Sequence, residues 1–164
     1  MLAIPVLELE NRTGTYALVL QCGEPGNIEV GRLGVLELQP GYYVYIGSAF
    51  GPGGVRARVG HHMRRSARCH WHIDYLKPHC TLIEVWVEYS DDKREARWAG
   101  KLATHRRSSI PLNGFGASDD RAASHLFYFE SRPGAAVLRT TRKSADASTS
   151  RGNPERMIVI PLPK

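Results

Sequence analysis

The stretch YVYIGSAFGPGGVRARVGHH, residues 43–62, contains three local patterns in immediate succession. Its tyrosine-rich beginning, up to Ile46, favours a strand, because aromatic and β-branched residues suit a pleated backbone. Four glycines and a proline then fall within residues 47–54 and predict a loop. From Val55 to about Arg65 the sequence predicts a helix with basic side chains at three- and four-residue spacing. A strand, a glycine turn and a basic helix in this order often surround a bound phosphate.

The charge of the whole chain points to the same kind of partner. The chain has 164 residues, which favours one domain, and it carries 22 Lys and Arg against 16 Asp and Glu, a net charge of +6. Five of the arginines lie within residues 56–68, and the planar guanidinium group can donate two hydrogen bonds to one phosphate. This excess favours nucleic acid as a partner, although a merely soluble basic protein would have the same composition.

The sequence also gives an expectation for the compartment. The N-terminus, MLAIPVLELE, lacks the basic start of a signal peptide. No apolar run approaches the roughly 18 residues of a membrane span. The three cysteines, Cys22, Cys69 and Cys80, are too few and too odd in number for a disulfide framework. We therefore expect a cytoplasmic protein that does not enter a membrane.

Apolar patterns on both sides of the opening stretch predict the remaining elements. Alternating or continuous apolar runs indicate strands, and three- to four-residue periods between turn residues indicate helices. We expect strands at 15–21, 28–38 (one strand or two), 42–46, 81–89 and 125–129, and helices at 55–65, 69–76 and from Asp91 or Asp92 to about His105. This predicts an α+β fold with a small, mainly antiparallel central sheet flanked by helices, in the order β-β-α-α-β-α-β.

The character of the chain changes after Ser131. The segment Arg139–Arg156 is rich in Ser, Thr, Arg and Asp and has few apolar residues, which is typical of disorder. We expect one domain over residues 1–131 and a basic, flexible tail over residues 132–164 that adds non-specific affinity for DNA. Met157–Pro163 is either a docked edge strand or a loose end.

Two tyrosine tripeptides relate this chain to a known superfamily. Gly14-Thr15-Tyr16 opens the first predicted buried strand, and Tyr45-Ile46-Gly47 closes a later one. The pair resembles the two tripeptides that name the GIY-YIG nuclease superfamily, with threonine in place of the first isoleucine. The resemblance implies that the two tripeptides lie on neighbouring antiparallel strands and that residues 1–131 form a GIY-YIG-like nuclease domain.

The resemblance also implies a set of site residues. The superfamily has an arginine on the helix after the second tripeptide, and Arg58 fits this place, with Arg56 as the competing choice. A histidine or tyrosine follows one helical turn later, as His62 does here. A glutamate opens a later helix, as Glu95 does, and an asparagine follows, for which Asn113 is the candidate. The implied catalytic residues are Tyr16, Tyr45, Arg58, His62 and Glu95.

Three further motifs look like a little-characterised subfamily of this superfamily. They are YVYIGSAFGPGGVRARVGHHMRR, HWHIDYL at residues 70–76 and FGASD…SHLFYF at residues 115–129. The resemblance extends over about Thr13 to Phe129. The chain departs from the subfamily where Asp120 and Ala122 stand in place of cysteines and Arg97 stands in place of an acidic residue.

The implied residues suit the hydrolysis of a phosphodiester bond, which needs neutralised phosphoryl charge and an oriented nucleophile. Glu95 can anchor one Mg²⁺ or Mn²⁺ ion while water and phosphate oxygens fill its other positions. Arg58 can bind the scissile phosphate through two hydrogen bonds. Tyr16, helped by His62, is the candidate general base, and Tyr45 orients the water or the phosphate. Further contacts to DNA are expected from Gly47, Ser48, Gly53, Gly54, Arg56, His70 and Asn113, with the backbone N–H groups of the glycine loop approaching the phosphates.

Simpler interpretations exist for the same residues. The tyrosines are common in strands, and Glu95 can simply complement a helix dipole. His70 and Asp74 favour a structural pair slightly over a second phosphate or metal contact. Weaker hypotheses are a zinc site at Cys69, His72, His79 and Cys80 and a hydrolase triad at Ser118, Asp119 and His125.

We therefore expect a divalent-metal-dependent endonuclease that acts on DNA in repair, recombination or defence. The alternative is a nucleic-acid-binding module that keeps the scaffold and has lost efficient cleavage.

Overall fold

The computed structural model describes residues 8–118, 121–139 and 157–163. Its strands are β1 Gly14–Cys22, β2 Gly26–Val30, β3 Gly34–Leu38, β4 Gly41–Ala49, β5 Thr81–Tyr89, β6 Ser108–Ser109, β7 Leu126–Phe129 and β8 Ile158–Pro161. Its α-helices are α1 Gly54–Met63, α2 His72–Leu76 and α3 Glu95–Ala103. Within the described ranges no helix combines the length and the apolar character that crossing a membrane requires.

The central sheet is antiparallel throughout, with the strand order β6-β7-β4-β1-β5-β8. Strands β2 and β3 form a separate hairpin. The predicted α+β class, with a mainly antiparallel sheet flanked by helices, is confirmed. Residues 28–38, for which one or two strands were expected, contain the end of β2 and all of β3, and the structure adds the short edge strand β6.

Strand β1 lies in the middle because both of its faces are apolar. Its residues 14–20 are buried without interruption, which is the pattern of a strand covered on both sides. In its register with β4, Tyr16 lies opposite Gly47 and Leu18 lies opposite Tyr45. The GTY and YIG tripeptides therefore lie on neighbouring antiparallel strands, as the resemblance implied.

Helices cover both faces of the sheet. One face carries Tyr16, Tyr43 and Tyr45 and packs against α1, α2 and the hairpin. The other face carries Trp86 and Phe127 and packs against α3. Each aromatic layer is almost fully buried, and burial of such side chains is the main favourable term in folding.

Two helices begin later than the sequence predicts. The segment 69–71 precedes α2, because the Asp74 carboxylate accepts the backbone N–H groups of His70 and Trp71 and caps the helix there. Helix α3 begins at Glu95 and not after Asp91 or Asp92, since the N–H of Arg94 donates to Thr15 Oγ1 on β1. His70 and Asp74 thus do interact, as the favoured structural interpretation required, but through the His70 backbone.

Two parts of the predicted tail pack against the sheet and α3. A short 3₁₀ helix, Ala135–Leu138, buries Ala135 and Leu138, and Lys101 Nζ donates to the Leu138 carbonyl at 2.8 Å. Strand β8 pairs with β5, so Met157–Pro163 contains a docked edge strand. Most of the Arg139–Arg156 segment, for which we predicted disorder, lies outside the described residues. The predicted division at residue 131 stays a prediction.

Candidate active site

A buried tyrosine–histidine pair lies between β1 and α1. The hydroxyl group of Tyr16 is 2.7 Å from Nε2 of His62, and both side chains are buried. Gly47 faces this pair from β4, and a Cβ atom at that position would overlap the Tyr16 hydroxyl. The glycine of the YIG tripeptide is therefore required by the close approach of the Tyr16 ring.

Both members of the pair are neutral in the folded protein. Burial, and after it the neighbouring Tyr45, raises the pKa of Tyr16 well above its usual 10. Burial, and after it the charge of Lys77, lowers the pKa of His62 to about 3. Among the described residues the other ring nitrogen of His62, Nδ1, is buried without a hydrogen-bond partner.

The second tyrosine, Tyr45, lies 6.1 Å from the His62 ring, measured between ring centroids. Burial, and after it the charge of Glu95, raises the pKa of Tyr45, while Arg58 lowers it. The same two charges act in the same directions on the pKa of Tyr16. The two tyrosines therefore lie within electrostatic reach of both Arg58 and Glu95.

Glu95, the first residue of α3, is held from the sheet side by two hydrogen bonds. Its Oε2 accepts the Ser48 hydroxyl at 2.7 Å, and its Oε1 lies 2.8 Å from Nδ1 of His125. The Glu95 side chain remains 24% exposed. These contacts place the carboxylate at the end of β4, close to Tyr45.

Arg58 and Arg56 have different surroundings, which separates the two candidate arginines. The Arg58 side chain is half-buried, and its guanidinium carbon lies 5.0 Å from the centre of the Trp71 ring. This is a cation–π contact. Arg56 is exposed. The structure therefore favours Arg58 as the site arginine.

A cavity of about 510 Å³ lies beside these groups. Tyr45 and Glu95 line it, with Ala96 from the first turn of α3 and Lys93 from the segment just before that helix. The HWHIDYL motif contributes His70, Trp71 and His72, and the FGASD and SHLFYF motifs contribute Gly116, Ser118 and His125. The separate motifs of the sequence therefore meet at one polar and aromatic cavity.

The N–H groups at the start of α1 are engaged within the protein. Gly54 donates to the carbonyl of Gly51, Val55 to that of Arg12 and Arg56 to that of Glu10. The expected approach of these N–H groups to DNA phosphates would therefore need other donors. Gly53 and Gly54 have φ angles of 83° and 56°, and a Cβ at Gly54 would overlap the Arg12 backbone. The loop is glycine-rich because of these backbone constraints.

The remaining residues that were expected to contact DNA fall into two groups. Ser48 and His70 lie at the site, Ser48 on Glu95 and His70 in the cavity wall. Asn113 is exposed. The residues on either side of it, Leu112 and Gly114, lie near Gly34 and Leu33 of the hairpin respectively. Asn113 is therefore not brought to the cavity.

Two other hypotheses can be compared with the described residues. No group of three or more His, Cys, Asp or Glu side chains among them has the geometry to hold a metal ion, so they give no support to the zinc site at Cys69, His72, His79 and Cys80. In the proposed hydrolase triad, Asp119 lies outside the described residues, and His125 is paired with Glu95.

Two histidines of the cavity were not among the site residues expected from the sequence for a nuclease. His125 contacts Glu95, and Nδ1 of His72 accepts the N–H of Gly116 at 2.8 Å. The only signal for them was their position inside the SHLFYF and HWHIDYL motifs. Their partners lie 30 and 44 residues away along the chain, so local pattern could not identify the contacts.

The chain was compared with protein families, curated proteins and solved structures. Residues 15–146, which include β4, β5, the cavity residues and all of β1 except Gly14, match a domain of unknown function, DUF123. No curated protein and no solved structure shows a significant match. The matched segment covers most of the sequence, and the chain therefore belongs to the DUF123 family.

Proposed function

We propose that this protein is a divalent-metal-dependent endonuclease that hydrolyses DNA phosphodiester bonds by chemistry of the GIY-YIG type. The observation that carries the proposal is the shared cavity of Tyr45 and Glu95, with Arg58 and the Tyr16–His62 pair next to it. A carboxylate, an arginine and neutral hydroxyl donors around one cavity are the groups that phosphodiester hydrolysis requires. The net charge of +6 supports DNA as the substrate.

The residues of the cavity fit a magnesium or manganese ion bound through one carboxylate. Each oxygen of Glu95 takes one of the contacts described above, from Ser48 and from His125, and a carboxylate oxygen has a second lone pair. Mg²⁺ commonly binds one or two carboxylates and keeps several water molecules, for which the cavity has room. When bound, the ion would neutralise charge on the phosphoryl oxygens. Glu95 is the residue that would hold it.

The phosphate itself would be bound by Arg58 and Tyr45. Arg58 can donate two hydrogen bonds to one phosphate, and Trp71 holds its guanidinium group in place. Tyr45 keeps its proton, because its pKa is raised, and it therefore acts as a hydrogen-bond donor. Both side chains bind and orient the group that reacts.

Proton removal from the attacking water is assigned to Tyr16 together with His62. Tyr16 accepts the proton of the water while its own proton moves to Nε2 of His62, so no free phenolate forms. This matters because burial strongly opposes a phenolate at Tyr16. Burial lowers the pKa of His62 to about 3, and the negative charge of a bound phosphate would favour its protonated form.

Nicking of supercoiled plasmid DNA in the presence of Mg²⁺ or Mn²⁺ tests the proposal. We expect the Glu95→Gln variant to lose nicking while it keeps its fold, because the amide cannot replace the carboxylate charge. The matched control is Asp91→Asn, which removes one negative charge from an exposed position four residues before Glu95.

Two results would contradict the proposal. Nicking by the Glu95→Gln variant at the rate of the original protein would remove Glu95 from the site. DNA binding without cleavage of plasmid, linear or branched DNA with either metal would favour the binding module. An arginine at position 97, which lies 3.9 Å from Glu88 in place of the acidic residue of the subfamily, is compatible with that outcome.

A further inference from the structure

The protonation of His72 is fixed by its hydrogen bond to Gly116. The backbone N–H of Gly116 lies 2.8 Å from Nδ1 of His72. A backbone N–H can only donate, so Nδ1 must carry its lone pair. In the neutral ring the proton is then on Nε2. His72 therefore has one remaining polar group, an N–H donor, to offer to the cavity that it lines.

The surroundings of His72 keep the ring neutral and in place. Burial lowers the pKa of His72. Protonation at Nδ1 would also turn the acceptor of the Gly116 hydrogen bond into a second donor. The ring packs edge-on against Phe115, with 5.5 Å between ring centroids. The backbone carbonyl of Phe115 accepts the N–H of His125 at 2.8 Å. This side of the cavity is thereby connected to β7 and, through the His125 side chain, to Glu95.

The other histidine of the cavity has the opposite arrangement. Nδ1 of His125 faces two acceptors, Glu95 Oε1 at 2.8 Å and the Ile46 carbonyl at 3.4 Å, so this nitrogen carries a proton. His125 is thus used to hold Glu95, a positioning role. In His72, by contrast, Nδ1 accepts the backbone N–H of Gly116, and this hydrogen bond leaves Nε2–H as the donor.

We propose that His72 contacts the substrate directly and donates a hydrogen bond from Nε2–H to a non-bridging oxygen of the phosphodiester. This inference rests on the proposed function, because it assumes that the cavity takes a phosphate. Two further donors of the same cavity, Tyr45 and Lys93, also suit an anionic oxygen. A neutral donor fixed before the substrate arrives needs no reorganisation during the reaction, which is how such donors contribute most to rate.

Two substitutions separate this role from a structural one. In His72→Asn the side-chain oxygen takes the place of Nδ1 and keeps the Gly116 hydrogen bond, but the donor at Nε2 is lost. In His72→Gln the amide nitrogen takes the place of Nε2, while the Gly116 bond is lost. We expect His72→Asn to lower kcat for plasmid nicking by about 100-fold and His72→Gln to lower it by about 10-fold or less. His79→Asn, at an exposed position after α2, controls for the loss of a histidine.

The reverse order of the two variants would overturn the proposal, because it would show that His72 only holds the Gly116 loop. Equal activity of both variants with the original protein would also overturn it, while the nuclease proposal would stand. Thermal unfolding of each variant identifies any loss that comes from the fold.

A second measurement does not depend on cleavage. Two-bond ¹H–¹⁵N spectra of the full chain report which nitrogen of His72 carries the proton, and we expect Nε2. Addition of a short oligodeoxynucleotide to the Glu95→Gln variant should shift the Nε2–H proton signal downfield. A proton on Nδ1, or no shift at saturating oligodeoxynucleotide, would overturn the proposal. If the original protein cleaved no DNA and the shift were present, the phosphate contact would stand and the hydrolase assignment would fall.

Discussion

The Tyr16 hydroxyl group lies 2.7 Å from Nε2 of His62 inside the protein, a contact between residues 46 positions apart in the sequence. This contact joins the first tripeptide of the chain to the last turn of α1. It also links the stability of the fold to the proposed chemistry, because neither side chain can ionise freely there. Substitutions at Tyr16 or His62 should therefore alter both the stability of the protein and the rate of DNA cleavage.

Tyr16→Phe should destabilise the protein and abolish cleavage. The substitution leaves Nε2 of His62 buried without a partner, which costs about 1–3 kcal/mol. Tyr43→Phe is the matched control, since Tyr43 is equally buried and its hydroxyl binds the backbone of Gln39, away from the cavity. Urea unfolding should show similar losses for both variants, and nicking assays should show loss of activity for Tyr16→Phe alone. Full activity of Tyr16→Phe would remove the proposed proton path.

His62 should make the protein sensitive to acid. Its pKa falls from 6.5 to about 3 on folding, so between these values the unfolded chain binds a proton that the folded protein does not. The free energy of unfolding should therefore decrease as pH falls below 6.5, by up to about 1.4 kcal/mol per pH unit. Urea unfolding of His62→Gln should show a shallower decline over the same range.

His70→Gln, at an exposed position, is the control for the pH dependence. It should keep the slope of the original protein. Asp74, whose carboxylate accepts the N–H groups of Trp71 and His70, also has a lowered pKa although its burial acts in the other direction. Protonation of Asp74 in acid therefore also lowers the free energy of unfolding. Because Asp74 is present in all three proteins, its contribution to the slope is the same in each and cancels when they are compared. Identical slopes for all three proteins would show that His62 does not carry the effect.

Local sequence pattern predicted the sheet better than it predicted the start of the helices. The apolar run of β1 was predicted from its strand pattern, and the antiparallel pairing of the strands that carry the two tripeptides was implied by the resemblance. The start of α3 did not follow, because it depends on Thr15, which binds the N–H of Arg94 across 79 residues. A hydrogen bond over this separation has no local signature in the sequence.

The sequence indicated residues that lie close together in the fold, but it did not indicate the contacts in the cavity wall. Tyr45, Arg58 and Glu95 were expected from the resemblance and lie at or beside one cavity. His72 and His125 were not included, since their roles depend on contacts with Gly116 and Glu95 that only the folded chain creates. Motifs identified these stretches of sequence without indicating which atoms meet.

Gly47 should tolerate no side chain. A Cβ atom there would overlap the Tyr16 hydroxyl, so Gly47→Ala should destabilise the protein by about 1–3 kcal/mol. Gly100→Ala on α3 is the matched control, since nothing lies within 4 Å of its Cβ position. It should stabilise the helix by up to about 1 kcal/mol. Thermal or urea unfolding of both variants should give opposite signs; equal signs would mean that the strand opposite Tyr16 has more room than the geometry indicates.

Arg58 and Arg56 should have different roles, with Arg58 contributing to the cleavage rate and Arg56 to DNA binding alone. The guanidinium group of Arg58 lies on Trp71, in the cavity wall, and its charge acts on both tyrosines. Arg58→Ala should therefore lower kcat by about 100-fold or more, and Arg58→Lys should recover little, because lysine lacks the fork. Arg56 is exposed, two residues earlier on α1, and such neighbours do not share a helix face.

Arg56→Ala should change binding alone. Loss of one phosphate contact should weaken DNA binding evenly across sequences and reduce the slope of log K against log salt by about one. The cleavage rate at saturating DNA should remain that of the original protein. Measurement of kcat and of the salt slope for both alanine variants separates the two roles. If Arg56→Ala instead abolished cleavage while Arg58→Ala retained it, the site arginine would be Arg56, and the contact with Trp71 would have to be structural.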